Sequence, residues 1–188
     1  MSDKLREECG IFGIYNKNNI DAVNDAYLAL FALQHRGQES CGIAVNDKGV
    51  FRSYKDLGLV PDVFTRRNLD GLGKGNIAVG HCRYAPSDKQ ERANAQPLVM
   101  RYIKGTFAIA HNGSVTNVPE LREELERGGA VFHTTCDAEY IANVIARERP
   151  TAGSIEIAVS LAMNKIHIIP IAVRRKKCLT GQHNCVVT

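Results

Sequence analysis

The stretch Cys9-Gly10-Ile11-Phe12-Gly13-Ile14-Tyr15 constrains this chain more than any other. An apolar run with two glycines, placed directly behind the short charged leader Met1–Glu8, reads as a buried strand. If the leader were cut after Glu8, Cys9 would become the N-terminal residue. A free α-amine has a pKa of about 7.7–8.0 and a free thiol of about 8.5, so a cut chain would carry its own base for the thiol near neutral pH. In an uncut chain Cys9 has only an amide nitrogen and reads as a small core hydrophobe at a strand end. The residue alone leaves both readings open.

The rest of the chain supplies short strands and helices in alternation. Asp21 is placed to cap a helix whose apolar positions are Val23, Ala26, Tyr27, Leu30 and Phe31, with Gly37 beyond its end. After the polar cluster Gln34-His35-Arg36-Gly37-Gln38, segments 41–46 and 50–55 flank the hairpin turn Asn46-Asp47-Lys48-Gly49. Pro61 and Asp62 open a short helical segment through Val63, Phe64 and Arg67. The glycines at 71, 73 and 75 lack the setting of either a P-loop or a dinucleotide fingerprint, because a strand follows them, so they read as a turn.

That strand, Asn76 to Tyr84, alternates, with Ile77, Val79, His81 and Arg83 on one face and Ala78, Gly80, Cys82 and Tyr84 on the other. An arginine ending an otherwise apolar strand either meets a partner or emerges into solvent. Residues 85–96 are polar and turn-rich, in keeping with a loop over a site, and 97–103 and 106–111 read as two further strands. His111-Asn112-Gly113 then allows two readings: a type I′ turn, or an Asn amide and a Gly N–H aimed together as an oxyanion hole. Pro119 starts a charged helix that ends at Gly128-Gly129. Asp137 is placed to cap a helix carrying Tyr140, Ile141, Val144 and Ile145, and a last helix runs from Ser154 to about Ile166.

Length and charge narrow the function classes. At 188 residues the chain suits one domain, and no apolar run approaches the ~20 residues of a membrane span. The leader is too short and acidic for a secretion signal, which points to a cytoplasmic protein with its six cysteines reduced. Four of the 24 basic residues, Arg174, Arg175, Lys176 and Lys177, and none of the 20 acidic ones fall within 167–188, so the body is neutral. A neutral body offers no nucleic-acid surface, and the basic run reads as a solvated tail. The spacing of Cys178, His183 and Cys185 is not that of a zinc motif, so neither a metal nor a redox-thiol protein is favoured.

Together these residues are the parts needed to hydrolyse the side-chain amide of L-glutamine. Cys9 would attack the amide, and Asn112 with the Gly113 N–H would hold the oxyanion. The α-amine would return a proton to the leaving ammonia. Arg83 would grip the α-carboxylate of the substrate and Asp137 its ammonium.

The motifs CGIFGIY, LQHRGQES, GHCRY, AHNG and TTCDAE, in this order over residues 9–166, resemble the class II, N-terminal-nucleophile glutamine amidotransferase domain, and within it the amidophosphoribosyltransferase family. The resemblance implies an α+β fold, a four-layer αββα N-terminal nucleophile hydrolase lacking its last strands. It also implies removal of residues 1–8, Cys9 as nucleophile, Asn112 and Gly113 as oxyanion hole, Arg83 and Asp137 as glutamine ligands, and Arg36 with Gly37 lining the pocket. In that family the ammonia crosses to a second domain and displaces pyrophosphate from phosphoribosyl pyrophosphate. The amidotransferase domain needs no cofactor, while the phosphoribosyltransferase domain, absent from this chain, would use Mg2+.

Three departures stand out. Ala85-Pro86-Ser87 replaces the usual Ala-Thr or Pro-Thr, Cys41 and Cys136 occupy positions of small residues, and residues 167–188 form a divergent basic tail. The expectation is therefore a truncated glutaminase that forms a homo-oligomer or associates with a full-length enzyme. The alternative is a catalytically silent fragment that at most binds that enzyme, since missing strands would leave open sheet edges.

Overall fold

The computed structural model describes residues 9–17, 21–84, 91–169 and 185–187. Strands β1 (Gly10–Tyr15), β2 (Ser40–Asp47), β3 (Val50–Leu57) and β4 (Ile77–Arg83) form an antiparallel sheet in the order β1-β4-β2-β3. The β2–β3 hairpin closes through Lys48 and Gly49, whose φ angles of 53° and 90° form the left-handed pair that a two-residue turn requires. Among the described residues β1 is an edge strand that pairs with β4. Only Gly10 in it is buried, so the strand expected at Cys9–Tyr15 exists but is half-open.

β4 carries the core on both faces. Ala78 and Cys82 pack toward helix α1 (Ala22–Leu33), and Gly80 admits Leu30 so closely that an added Cβ would lie 2.9 Å from it. On the other face Val79 joins Ala44, Ala108 and Ala110 in a layer of small side chains. These last two belong to β6 (Gly105–Ala110), which pairs antiparallel with β5 (Leu98–Tyr102) and parallel with a strand at Cys185–Val187.

The opposite face of β6 sends Phe107 and Ile109 into the main cluster, with residues of α4 (Val118–Arg127), α5 (Asp137–Glu148) and α6 (Ile155–Met163). Helices, sheet, sheet and helices thus stack as the four-layer αββα arrangement that the resemblance implies. Small side chains between the sheets let the two backbones come close, while the large apolar ones face the helices.

Local differences from the sequence reading have physical causes. Phe31 is 56 % exposed, because the buried stripe of α1 is Ala22, Val23, Ala26 and Leu30, and Phe31 lies one residue round from Leu30. The helix expected through Pro61–Arg67 is two pieces, α2 (Val60–Val63) and α3 (Arg66–Leu72), divided where Thr65 caps the second. Gly71 lies inside α3, and Gly73, with φ 78°, ends it.

His111-Asn112-Gly113 is not a hairpin turn. Gly113 is near-extended, and the chain runs on into β7 (Ser114–Val115), which pairs with β8 (Ile168–Ile169) rather than folding back on β6. The strand expected over 168–173 is described only as β8; residues 170–173, Ala85-Pro86-Ser87, Cys178, His183 and the leader lie outside the described residues. Among the described residues no cluster of His, Cys, Asp and Glu could hold a metal, and no helix is long and apolar enough to cross a membrane.

Candidate active site

Strand register brings the candidate residues to one end of the first sheet. Gly10 pairs with Cys82 and Ser40 with Arg83, so Cys9, Glu39 and Arg83 emerge side by side. The Tyr84 N–H donates to Cys9 Sγ at 3.4 Å, and the thiol lies 3.9 Å from the Tyr84 carbonyl. Arg36 donates from Nε to the Cys9 carbonyl at 2.8 Å, and Cys9 itself takes a φ of 42°.

The QHRG motif is folded into a clasp. Gln34 donates to the Gly37 carbonyl at 2.6 Å and accepts from the Val60 N–H at 2.5 Å. Gly37 lies directly on the end of β4, where a Cβ would stand 2.5 Å from the Cys82 carbonyl oxygen. Only glycine fits that approach.

Arg83 has the partner that its position called for, supplied by the protein. Its Nη1 contacts both carboxylate oxygens of Glu39, at 2.5 and 2.6 Å, with the Arg83 side chain 20 % exposed and that of Glu39 5 %. The Glu39 backbone is also fixed, its N–H donating to the Arg83 carbonyl and its carbonyl accepting from the Gly58 N–H. Nε and Nη2 of Arg83 make no hydrogen bond among the described residues, so part of the guanidinium remains for a ligand.

A second group forms where β6 ends and α5 begins. Gln96 is buried and hydrogen-bonds the His111 backbone in both directions, accepting from its N–H at 2.7 Å and donating to its carbonyl at 3.1 Å. The same side chain donates to Cys136 Sγ at 3.3 Å. Asn112 and Gly113 follow His111, and Asp137 follows Cys136.

Asp137 does not cap α5. Cys136 occupies the capping position without a side-chain bond, and Asp137, the first helical residue, accepts from the Val115 N–H at 2.8 Å. Capping of the preceding loop falls to buried Glu139, which accepts from the His133 and Thr134 N–H groups at 2.9 and 2.7 Å.

Burial dominates the electrostatics. It pushes the Cys41 and Cys82 thiols up to about 12, helped in Cys41 by Cys82 and in Cys82 by Cys9, and it raises Cys136 as well. Those three keep their protons at neutral pH, whereas Cys9 is half-exposed. Burial also lowers His81 to about 3, with Arg83 and His111 repelling a ring proton, and lowers His111 against the pull of Asp137. Lys55 is lowered by burial too, and donates from Nζ to the Ala95 carbonyl at 2.5 Å. Arg83 and Lys55 lower the Cys136 thiol and Asp137 raises it, each less than burial does.

The fold therefore gathers Cys9, Arg36, Gly37 and Arg83 at one sheet end, and sets Asn112, Gly113 and Asp137 on two elements joined through Gln96. Sequence reasoning missed Glu39 and Gln96. Glu39 had a signal, an acid immediately before an apolar strand and inside the QHRGQES motif. Gln96 had only its place in a polar loop.

Residues 67–152 match the glutamine amidotransferase domain family. The chain is 46 % identical over 140 residues to amidophosphoribosyltransferase of Methanocaldococcus jannaschii, covering 74 % of this chain and 30 % of that protein. It is 41 % identical over 153 residues to the human amidophosphoribosyltransferase, covering 78 % of this chain and 30 % of that one. The solved glutamine phosphoribosylpyrophosphate amidotransferase of B. subtilis superimposes with a TM-score of 0.73 at 34 % identity, over 84 % of this chain and 33 % of its own. The chain thus spans about a third of the length of the relatives it matches.

Proposed function

We propose that this chain, which belongs to the glutamine amidotransferase domains of the amidophosphoribosyltransferase family, hydrolyses the side-chain amide of glutamine with Cys9 as nucleophile. The observation that carries this reading is the placement of Cys9. It is half-buried, with Sγ on a backbone N–H, beside the arginine at the end of β4, while Cys41, Cys82 and Cys136 are buried with raised pKa. Removal of residues 1–8 frees the α-amine of Cys9, which takes the thiol proton.

The thiolate adds to the amide carbon, and the oxyanion is held by the Asn112 side chain and the Gly113 N–H. The tetrahedral intermediate collapses to a thioester as the C–N bond breaks, and the α-ammonium returns its proton so that ammonia leaves. Water, deprotonated by the same amine, adds to the thioester, and glutamate departs as the thiol is restored. Arg83 holds the α-carboxylate, Asp137 the α-ammonium, and Arg36 with Gly37 lines the pocket, Arg36 also holding the Cys9 carbonyl.

In the longer proteins of this family the ammonia is used on phosphoribosyl pyrophosphate in purine biosynthesis. We extend that use to this chain, in the cytoplasm, with the ammonia acceptor bound by a domain other than residues 9–166. The test is the intact mass and N-terminal residue of the purified protein, measured with ammonia release from glutamine. A chain that begins at Cys9 and releases ammonia supports the reading. Cys9→Ala abolishes the release and Cys41→Ala keeps most of it. A chain that retains its leader and is silent toward glutamine makes it a fragment that at most associates with a full-length enzyme.

A further inference from the structure

We infer that Gln96 is a positioning residue that sets the distance between the oxyanion donors and the ammonium ligand; this rests on the amide-hydrolysis reading above. Its carboxamide is one rigid plane with an acceptor and two donors. The acceptor and one donor engage the backbone of His111, the residue before Asn112, and the donor side also reaches the sulfur of Cys136, the residue before Asp137. One side chain, 4 % exposed, thus bonds to the immediate neighbours of two groups proposed to act at opposite ends of the glutamine molecule.

The need for such a link follows from the packing. β6 and α5 meet through apolar side chains such as Ile109 and Ile141, which fix proximity better than register; the Val115 N–H on Asp137 ties the segment after Gly113, and Gln96 ties the one before Asn112. Directional hydrogen bonds fix register. Gln96 is in turn held from three sides. Lys55 binds the Ala95 carbonyl at 2.5 Å, and Asn94 exchanges hydrogen bonds with Thr135 at 2.9 and 3.0 Å. β2 lies so close that a Cβ on Gly42 would stand 2.3 Å from the Gln96 carbonyl oxygen. Glutamate in its ionised form would lose the donors and bring a negative charge against the His111 carbonyl. Methionine keeps the shape and loses every polar atom.

The experiment compares Gln96→Met and Gln96→Glu with the parent in the full chain, through kcat and KM for glutamine and the rate of Cys9 alkylation by iodoacetamide. Alkylation needs the thiol but neither the oxyanion donors nor Asp137. Misplacing reacting groups by about 1 Å costs about 100-fold, so kcat/KM falls about 100-fold in Gln96→Met, with kcat lower and KM higher, while alkylation stays within about twofold. Gln96→Glu, which keeps an acceptor for the His111 N–H and in its protonated form a donor for the His111 carbonyl, serves where the methionine variant does not fold.

Turnover equal to an active parent overturns the inference alone. Alkylation and helical circular dichroism that fall in step with turnover in both variants overturn it as well, because Gln96 would then support the fold rather than the spacing. A parent that releases no ammonia overturns the amide-hydrolysis reading and this inference with it.

Discussion

Replacing Glu39 with glutamine keeps the shape of the side chain and removes its charge. Arg83 then remains at the end of β4, 20 % exposed, against a neutral group that was a carboxylate 5 % exposed. Breaking a buried ion pair from one side costs about 3–5 kcal/mol, because the surviving charge keeps its desolvation penalty. Arg83 retains some contact with water, and the new amide oxygen still accepts a hydrogen bond, so the lower end, about 3 kcal/mol, applies here. For a domain of this size each kcal/mol moves the melting temperature by about 2–4 °C, which gives a drop of about 6–12 °C.

The assay is urea and thermal unfolding of Glu39→Gln, Arg83→Gln and the double variant. The double variant is more stable than the sum of the singles predicts, with a coupling of about 2 kcal/mol, within the range seen for residues in direct contact. High salt changes the coupling little, since a buried pair is poorly screened. A loss below about 0.5 kcal/mol, the range of ordinary surface substitutions, or strictly additive singles would refute the reasoning. The same variant raises KM for glutamine, because Arg83 loses the group that orients it.

Two further perturbations follow from the same geometry. His81 is held to about 3 by burial first, whereas an unfolded histidine titrates near 6.5. The unfolded chain therefore binds a proton that the folded chain refuses, and stability falls as pH drops from 6.5 toward 3. His81→Leu flattens that fall in urea titrations at pH 7, 5 and 4, and an unchanged slope would exclude His81 as a source of acid sensitivity. Gly37→Ala puts a Cβ 2.5 Å from the Cys82 carbonyl oxygen, where backbone must yield. It destabilises by about 1–3 kcal/mol, read by urea unfolding, and displaces Arg36 from the Cys9 carbonyl; a neutral result would show that the QHRG clasp is loose.

What the sequence made legible was periodic or local. The alternation in β4 named both of its faces, and Asp21 caps α1 by accepting from the Asn24 N–H at 3.0 Å. Local signals failed where a distant segment supplied the deciding partner. Asn112-Gly113 carries a strong turn signal, but β7 pairs with β8 from the far end of the chain, so the backbone runs straight on. Asp137 has the chemistry of a cap, yet the Val115 N–H, 22 residues away in sequence, takes its carboxylate. Glu39 and Gln96 bind across 44 and 15 residues, and no pattern on either side of them records that distance. Arg83 could be read as wanting a partner because an arginine on an apolar strand is a local anomaly; which acid answers it is a property of the fold.

The left-handed geometry at Cys9 bears on the proposed removal of residues 1–8. A φ angle is a torsion about a bond whose far end is the carbonyl carbon of the preceding residue, and the 42° at Cys9 exists only while Glu8 is attached. Left-handed backbone costs a non-glycine residue on the order of 1–2 kcal/mol. In a chain that starts at Cys9 this torsion is undefined and its cost vanishes, while the carbonyl held by Arg36 and the sulfur held by Tyr84 keep their places. If residues 1–8 are removed as proposed, the uncut chain alone bears that cost and the chain that starts at Cys9 melts higher.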